Sequence, residues 1–243
     1  MSSDEPSELR CCGLPRGQVK PAVALLLSTV LMLTWWYFGS RGFLWRHLPT
    51  AGLWGHDRAT VAALGSFLAA FVLLGLIPAL VVTLGLRERL ADYGVRWGDA
   101  RRTLWATALL VPLFVLGGYL SSSNPSLRAY YPLTPTAGAS AADFALHAAA
   151  YLLFYLGWEF HFRGFLQHAL QPTAGDASAV AIQVLASCLL HLGKPAIETY
   201  SAILGGILWG VLAIRTKSLF AGLAQHSALG LSLDWFLCRS QFH

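Results

Sequence analysis

The sequence predicts an all-α, polytopic integral membrane protein with about seven transmembrane helices. Of its 243 residues, 56% are hydrophobic and only 12% are charged, whereas soluble domains carry about 25% charged residues. The mean hydropathy is positive, at +0.55, and long windows lack any charged residue. Because a helix needs about 20 apolar residues to cross a bilayer, these windows are predicted spans, and the composition excludes an ordinary soluble domain.

The predicted spans differ between the two halves of the chain. Three windows in the first half are long enough to cross a membrane by themselves: 21–40, 59–86 and 103–127. Four shorter apolar runs, interrupted by polar residues, follow in the second half: 144–157, 177–190, 200–214 and 219–233. We predict that these four also span the bilayer. The first window is too long for a cleavable signal peptide, so it is expected to remain as an anchor.

Lys and Arg are distributed unevenly between the predicted loops. With seven spans, ten of them fall on the side of the N-terminus and six on the opposite side. Because short loops rich in Lys and Arg stay in the cytoplasm, the N-terminus is predicted to be cytoplasmic. The excess of Arg over Lys and the abundance of Ala are compatible with a bacterial source, and hence with a multi-pass protein of the cell (inner) membrane. The net charge of +5 follows from the same loop bias, so no nucleic-acid partner is expected.

The chain divides into three regions by composition. Residues 1–18 are polar and are predicted to form a disordered cytoplasmic tail, and residues 19–120 contain the N-terminal transmembrane helices. A linker rich in Pro and Ser, residues 121–140, interrupts the helices. The third region, 141–238, is a helical core that contains nearly all the polar residues within predicted spans.

Two helices of this core have recognisable ends. Ser140 and Asp143 have the spacing of a capping box, which predicts a helix that starts there and stops near Leu170, ahead of a proline. The following predicted helix, 178–192, is about 22 Å long at 1.5 Å per residue. That is too short to cross a bilayer alone, so the residues after it are predicted to turn within a water-accessible dip.

The segment GWEFHFRGFL, residues 157–166, places an acid, an imidazole and a guanidinium in an apolar helix. Each ionisable side chain at the centre of a bilayer costs about 2.5 to 3.5 kcal/mol on insertion scales. Glu159 and Arg163 are four residues apart, so they lie on one helix face and can form an ion pair. A pair that only orients helices is the alternative to a functional site.

Two histidines in other predicted helices favour the functional site. From the helical rise, Glu159, His191 and His226 lie about 16, 20 and 12 Å from the same side of the membrane. Three polar side chains at similar depth predict one intramembrane site, in which Arg163 accompanies Glu159.

Three further histidines are interpreted differently. His161 points about 200 degrees away from Glu159 around the helix, so we interpret it as a hydrogen-bonded or snorkelling residue and as an auxiliary candidate only. His147 and His168 lie near the two helix ends, where exposure at the membrane interface explains them.

Two acids are the remaining auxiliary candidates. Asp234 lies on one helical stripe with His226 and could accept a hydrogen bond from it through water, although an acid near the outer interface is the preferred interpretation. Glu198 forms a pair with Lys194 that either caps the next helix or stands at the mouth of the cavity.

A carboxylate and two histidines in a semi-dry cavity suit two kinds of chemistry. Glu159, tuned by Arg163, could act as a general base towards water, and a histidine N–H could stabilise the resulting oxyanion. Alternatively, Glu159, His191 and His226 could hold zinc, which uses His and Glu ligands and one open position in catalytic sites. The residues leave both alternatives open.

WEFHFRG, followed by His191 after an apolar run and His226 in the last helix, resembles the CPBP family of intramembrane proteases, which are related to the CAAX prenyl protease. The resemblance covers about residues 143–235. It implies an intramembrane endopeptidase that cleaves near the C-terminus of membrane-anchored or lipidated proteins. It also implies that Glu159, Arg163, His191 and His226 are the site residues.

The chain departs from the family's three motifs, Glu-Glu-x-x-x-Arg, Phe-x-x-x-His and His-x-x-x-Asn. Trp158 stands at the first glutamate, which the family uses to activate water, Ser187 at the Phe, and Gly230 at the Asn. One interpretation is a rearranged site with Glu159 as the base. Another is a catalytically inactive member that acts as a membrane scaffold or a bacteriocin-immunity protein. A proton-coupled transporter is a third, because intramembrane acids and histidines also form proton relays.

Overall fold

A computed structural model describes residues 10–11, 14–49 and 55–239. Apart from two antiparallel strands, β1 (Arg10–Cys11) and β2 (Leu14–Pro15), the described residues form helices and loops, so the predicted all-α class is confirmed. The helices are α1 (Arg16–Thr34), α2 (Arg41–His47), α3 (Arg58–Ala70), α4 (Ile77–Leu80), α5 (Ala100–Ser121), α6 (Pro125–Tyr130), α7 (Ala141–Glu159), α8 (Gln167–Leu189), α9 (Ala196–Thr216) and α10 (Phe220–Cys238). Helix α1 begins within the predicted tail, most of which lies outside the described residues.

Several helices are extended by π-helical turns, in which the hydrogen bonds skip one residue more than in an α-helix. These turns are Trp35–Gly39 after α1, Phe71–Leu76 and Val81–Gly85 on either side of α4, and Phe160–Leu166 between α7 and α8. Short 3-10 helices lie at Leu90–Tyr93, in the segment before α5, and at Pro135–Gly138, in the linker 121–140. The π turn at Phe160–Leu166 carries the polar segment, and such turns are frequent at functional sites.

Four helices of the described chain are long and apolar enough to cross a membrane. They are Gly17–Gly39, Arg58–Gly85, Ala100–Ser121 and Ala196–Thr216. Helices α7, α8 and α10 cover the other three predicted spans. The chain is therefore a multi-pass membrane protein, while the count of seven spans and the orientation of the N-terminus stay predictions.

Helix α7 begins where the sequence predicts. The Ser140 hydroxyl oxygen accepts a hydrogen bond from the Asp143 backbone N–H at 3.1 Å, and the hydroxyl donates to the Asp143 carboxylate at 2.5 Å. The predicted stop near Leu170 is wrong, because helical residues continue to Gly175, which has φ 76° and ψ 166°. The proline removes only one helical hydrogen bond, so the helix continues past it. The positive φ of Gly175 interrupts the helical backbone, and glycine adopts this conformation without steric cost.

The end of α8 also differs from the prediction. The helix ends at Leu189, so His191 lies in the turn that follows and not inside the helix. Gly193, with φ 89°, allows the chain to reverse, and α9 starts at Ala196. His191 therefore lies on an irregular segment between two helices.

The predicted halves of the chain pack against each other. Helix α5 lies along α10, α3 along α7 and α1 along α8. The main hydrophobic cluster is aromatic and joins α1, α3 and α7 through Trp35, Phe67, Phe154 and Trp158. The outer face of α5 instead exposes large apolar side chains such as Leu109, as expected for a surface in contact with lipid.

Candidate active site

Side chains of α7, α8, α9 and α10 surround a cavity of about 440 Å³. Arg163, His191 and His226 are among its lining residues, together with many aromatic and aliphatic side chains. Ile197 and Leu204 also line it and are 53% and 72% exposed. Exposed apolar side chains on a membrane protein contact lipid, so this cavity borders the lipid-facing surface.

Glu159 and His226 are joined by a hydrogen bond. Nδ1 of His226 lies 2.7 Å from Oε1 of Glu159, and it donates when the carboxylate is ionised, because a carboxylate then only accepts. This leaves Nε2 as the second nitrogen of a histidine that lines the cavity. Glu159 is 2% exposed and is not one of the described residues that line the cavity. The carboxylate thus lies behind the histidine.

Arg163 forms the predicted pair with Glu159. Its Nη1 is 3.3 Å from the same carboxylate oxygen, and both side chains are 2% exposed. The guanidinium also lies 5.5 Å from the centre of the Trp209 ring. Trp209 in turn stacks on His226, with ring centroids 4.2 Å apart and planes at 24°. The buried guanidinium of Arg163 therefore lies beside both Glu159 and Trp209, the two side chains that contact His226.

His191 is held by the backbone of α8. Its Nδ1 is 2.8 Å from the carbonyl oxygen of Ser187. Because a carbonyl only accepts, Nδ1 carries the proton, and in the neutral ring Nε2 carries the lone pair. The side chain at Ser187 replaces the family's Phe, but the contact uses only its backbone. His191 and His226 thus both line the cavity, and each uses Nδ1 for its hydrogen bond to the protein.

Trp158 also contributes to the cavity wall. It is 2% exposed, its ring meets the edge of His191 at 5.3 Å, and it stacks on Phe154 at 5.2 Å. An indole therefore occupies the wall beside His191 at the position where the family has its first glutamate.

Tyr155 is the site residue that the sequence reasoning missed. Its ring centroid is 4.6 Å from that of His226, and it lines the cavity. Its hydroxyl occupies the place that a Cβ at Gly230 would take, so the absence of a side chain at position 230 makes room for it. Tyr155 precedes Glu159 by four residues, so the helical spacing placed both on one face and was the available signal.

Asp234 lies outside this site. Its Oδ2 is 2.8 Å from Nε2 of His147, whose Nδ1 is 2.9 Å from the hydroxyl of Thr134. His147 and Asp234 are both 0% exposed, so the expected interfacial exposure of His147 is wrong. Thr134 comes from the linker after α6, and this linker covers the two side chains and excludes water from them. The side-chain partner of Asp234 in the described chain is His147, whereas His226 binds Glu159.

His161 points away from Glu159, as predicted, but it is not a snorkelling residue. It is 0% exposed and packs against the rings of Phe162 and Phe165, with the backbone of Leu74 facing it. The π turn that carries it is surrounded by protein on this side. His168 is partly buried against the Tyr93 ring, with centroids 4.9 Å apart.

Glu198 and Lys194 form the predicted pair, at 2.7 Å. The Tyr131 hydroxyl also donates to Glu198, at 2.8 Å. All three residues line the main cavity. Glu198 also lies in the first turn of α9, so the structure agrees with both interpretations that the sequence left open.

The described residues do not fit the hypothesised zinc site. Within residues 10–11, 14–49 and 55–239, no group of three or more His, Cys, Asp or Glu side chains could hold a metal ion. Glu159 contacts Nδ1 of His226, so the carboxylate does not join the two histidine Nε2 atoms on the cavity side. A catalytic zinc site uses three protein ligands, and this arrangement offers two imidazoles.

The fold and the cavity define a multi-pass, α-helical membrane protein with a buried carboxylate–histidine site next to lipid. Residues 140–232 match the family described as type II CAAX prenyl endopeptidase Rce1-like. The matched segment contains α7, α8, α9 and most of α10, so the helices that surround the cavity are similar to this protease family. Searches of the curated proteins and of the solved structures found no match.

Proposed function

We propose that this protein is an intramembrane endopeptidase that hydrolyses a peptide bond near the C-terminus of membrane-anchored or lipidated proteins. The observation that carries the proposal is the 2.7 Å hydrogen bond between Glu159 and His226. It holds an imidazole, backed by a carboxylate, on the wall of a cavity that borders lipid. A carboxylate that orients a histidine is a recurring arrangement for general base catalysis.

His226 is the general base in this mechanism. Its Nε2 takes a proton from water as the water oxygen attacks the carbonyl carbon of the substrate. Glu159 stabilises the imidazolium through Nδ1–H, and Arg163, 3.3 Å from the carboxylate, favours its ionised form. Glu159 is therefore a positioning residue here and not the base that the sequence suggested, because it does not line the cavity.

The remaining steps use two other residues of the cavity. The attack gives a tetrahedral intermediate, whose oxyanion accepts a hydrogen bond from the Tyr155 hydroxyl. His191 accepts a hydrogen bond from the attacking water through Nε2 and so orients it. The intermediate then collapses, the C–N bond breaks, and the His226 imidazolium returns its proton to the leaving amine. The products are a carboxylic acid and an amine, and transfer of the acid proton to the amine then gives a carboxylate and an ammonium group.

The cavity suits an extended, mainly apolar peptide segment. Its lining is largely aliphatic and aromatic, and Leu204 and Ile197 at its border are exposed. A substrate anchored in the bilayer can therefore enter from the lipid side without leaving an apolar environment. Trp158 occupies space on the wall beside His191 and limits the size of the residue that can lie there.

The test is cleavage of a panel of fluorogenic lipidated peptides by the purified protein in lipid nanodiscs. We expect Glu159→Gln, His191→Ala and His226→Ala each to lower kcat by about 10² to 10⁴, the range for a lost acid–base group. His47→Ala is the matched control, because His47 is exposed and does not line the cavity.

The other candidate functions appear as outcomes of this test. Cleavage that survives His226→Ala would remove the mechanism. No cleavage of any peptide, with the protein folded, would favour a scaffold or immunity role. Flux that depends on a pH gradient in proteoliposomes would favour the transporter.

A further inference from the structure

A second cavity of about 320 Å³ lies on the other side of the active-site arginine. Its walls are polar and come from three places: the linker before α5, the start of α8 around Gly175, and the turn after α9. Asp92, Arg96, Asp176 and Lys217 line it. Charged side chains are rarely placed away from water unless they are paired, so this cavity opens to the aqueous side. We call it the charged cavity.

Arg163 separates the two cavities. It is the residue that lines both the main cavity and the charged cavity. Gln167, one turn further along the helix, lines the charged cavity, and both side chains are almost fully buried. The Arg163 side chain is therefore a wall that the two cavities share.

Buried polar atoms without hydrogen-bond partners in the described chain gather at this boundary. They are Nε of Arg163, Oε1 of Gln167 and Oε1 of Gln183, whereas Nη1 of Arg163 pairs with Glu159. The amide nitrogens of the two glutamines are used, because they donate to the carbonyl oxygens of Gly210 and Gly206 at 3.0 and 2.8 Å. More than nine in ten buried polar groups in proteins are hydrogen-bonded to protein or water. One donor and two acceptors are within the two to four partners that a buried water has.

Two glycines of α9, one turn apart, allow these groups to lie close to the helix backbone. A Cβ at Gly210 would lie 2.8 Å from Oε1 of Gln167 and 2.8 Å from Nε2 of Gln183. A Cβ at Gly206 would lie 3.7 Å from Nη2 of Arg163. The two amides and the guanidinium thus lie against the same face of α9.

We propose that water reaches the hydrolytic site from the charged cavity, through an internal water site held by Arg163, Gln167 and Gln183. The purpose of this route rests on the proposed hydrolytic function, but the water site itself does not. The two reactants then use separate entrances. The peptide enters from the lipid side, where water is scarce, and water enters past the arginine that also supports Glu159.

The water site is tested without activity by X-ray radiolysis footprinting of the protein in nanodiscs, read by mass spectrometry. Radiolysis of a bound water oxidises the side chains next to it. Val180 and Val184 pack against the two glycines beside the proposed water site, at 3.3 and 3.0 Å from the Cβ positions of Gly210 and Gly206. They are 7% and 9% exposed, and Val82, at 0%, is the dry reference. We expect both to be oxidised clearly faster than Val82, and equal rates would overturn the proposal.

A blocking variant tests the route itself. Gly210→Ala places a methyl group among the two amides, so oxidation of Val180 and Val184 should fall to the level of Val82. We also expect kcat to fall about tenfold, as for one lost hydrogen bond to the reacting water, with KM unchanged. Gly117→Ala is the matched control, because its Cβ would meet only Leu229, at 3.4 Å.

The outcomes separate this proposal from the proposed function. Oxidised valines together with no peptide cleavage would leave the water site and remove the protease function. Cleavage together with unoxidised valines would remove the water site and leave the protease function. Should Gly210→Ala fail to fold, Gln183→Leu removes one acceptor of the site, and unchanged valine oxidation in that variant would contradict the assignment of Gln183.

Discussion

Nδ1 of His226 lies 2.7 Å from Oε1 of Glu159, although 67 positions separate the two residues in the chain. The contact explains how a carboxylate persists in an apolar helix, since Arg163 on one side and His226 on the other compensate its burial. It also leaves the free nitrogen of a histidine, and not the carboxylate, on the cavity wall. The first prediction follows from this order of groups.

Glu159 and His226 should act as one unit in catalysis. Glu159→Gln keeps the shape of the side chain but removes the charge that stabilises the imidazolium. We expect the double variant Glu159→Gln, His226→Ala to be no slower than His226→Ala alone, because groups that act together are strongly non-additive. Steady-state kinetics of the three variants measure this. Losses that simply multiply would show that the two residues act independently.

Tyr155→Phe removes the proposed oxyanion donor and the hydrogen bond between the hydroxyls of Tyr155 and Tyr151. We expect kcat to fall by about 10² to 10³, the usual effect of one such donor, with KM and thermal stability nearly unchanged. Tyr119→Phe is the control, because Tyr119 is 47% exposed on α5 and does not line the cavity. An unchanged kcat for Tyr155→Phe would assign the hydroxyl a purely structural role.

Gly230→Ala should inactivate the protein by displacing the same hydroxyl. The new methyl group would occupy the place of the Tyr155 oxygen, and overpacking of this kind costs about 1 to 3 kcal/mol. Gly117→Ala, which meets a single methyl group at 3.4 Å, should leave activity and melting temperature near the wild-type values. Full activity of Gly230→Ala would contradict the catalytic role given to Tyr155.

Asp234→Ala should destabilise the protein without changing the chemistry. The substitution leaves Nε2 of the fully buried His147 without a partner, and an unsatisfied buried polar group costs about 1 to 3 kcal/mol, while His147 would keep only Thr134. Thermal unfolding in detergent measures the loss, with Asp92→Ala as the comparison, because an exposed pair such as Arg89–Asp92 contributes little to stability. A large fall in kcat of the folded Asp234→Ala protein would show that Asp234 takes part in the active site.

Glu88 lies at the end of the molecule that is predicted to be cytoplasmic. Its ionisation should make the stability of the fold depend on pH. Burial raises the pKa of this carboxyl, but hydrogen bonds from Lys20 and Tyr93, and the Lys20 charge 2.7 Å away, outweigh it, so the pKa lies below its ordinary value. A lowered pKa stabilises the fold above the unfolded value of about 4.3. That contribution disappears as the pH falls through the folded value.

The measurement for Glu88 is the melting temperature of wild-type protein and Glu88→Gln across pH. The wild type should melt higher at pH 7, and the difference should shrink below about pH 4, where the carboxyl of the unfolded chain is already protonated. A difference that stays constant from pH 7 to pH 3 would show that the charge of Glu88 is not involved.

Features that depend on one turn or one span could be predicted from the sequence alone. The charge-free windows determined the membrane helices, because the bilayer thickness sets their length. Ser140 and Asp143 determined the start of α7, and the spacing of Glu159 and Arg163 determined their pairing, because both relationships lie within a single turn. Similar depths for Glu159 and His226 followed from the helical rise.

Only the tertiary structure decided which side chain faces the cavity. Consecutive side chains of an α-helix point about 100 degrees apart. The rotation of α7 about its own axis therefore decides which of Glu159, Trp158 and Tyr155 faces the cavity. The rotation of α7 is set by long-range packing, such as the close approach of Gly75, whose Cβ would lie 3.0 Å from the Cα of Gly157. The depth of a residue in the membrane depends on its position along one helix. The direction in which its side chain points depends on packing against residues more than 80 positions away in the chain. For this reason the sequence predicted the members of the site, and the packing decided that His226 stands in front of Glu159.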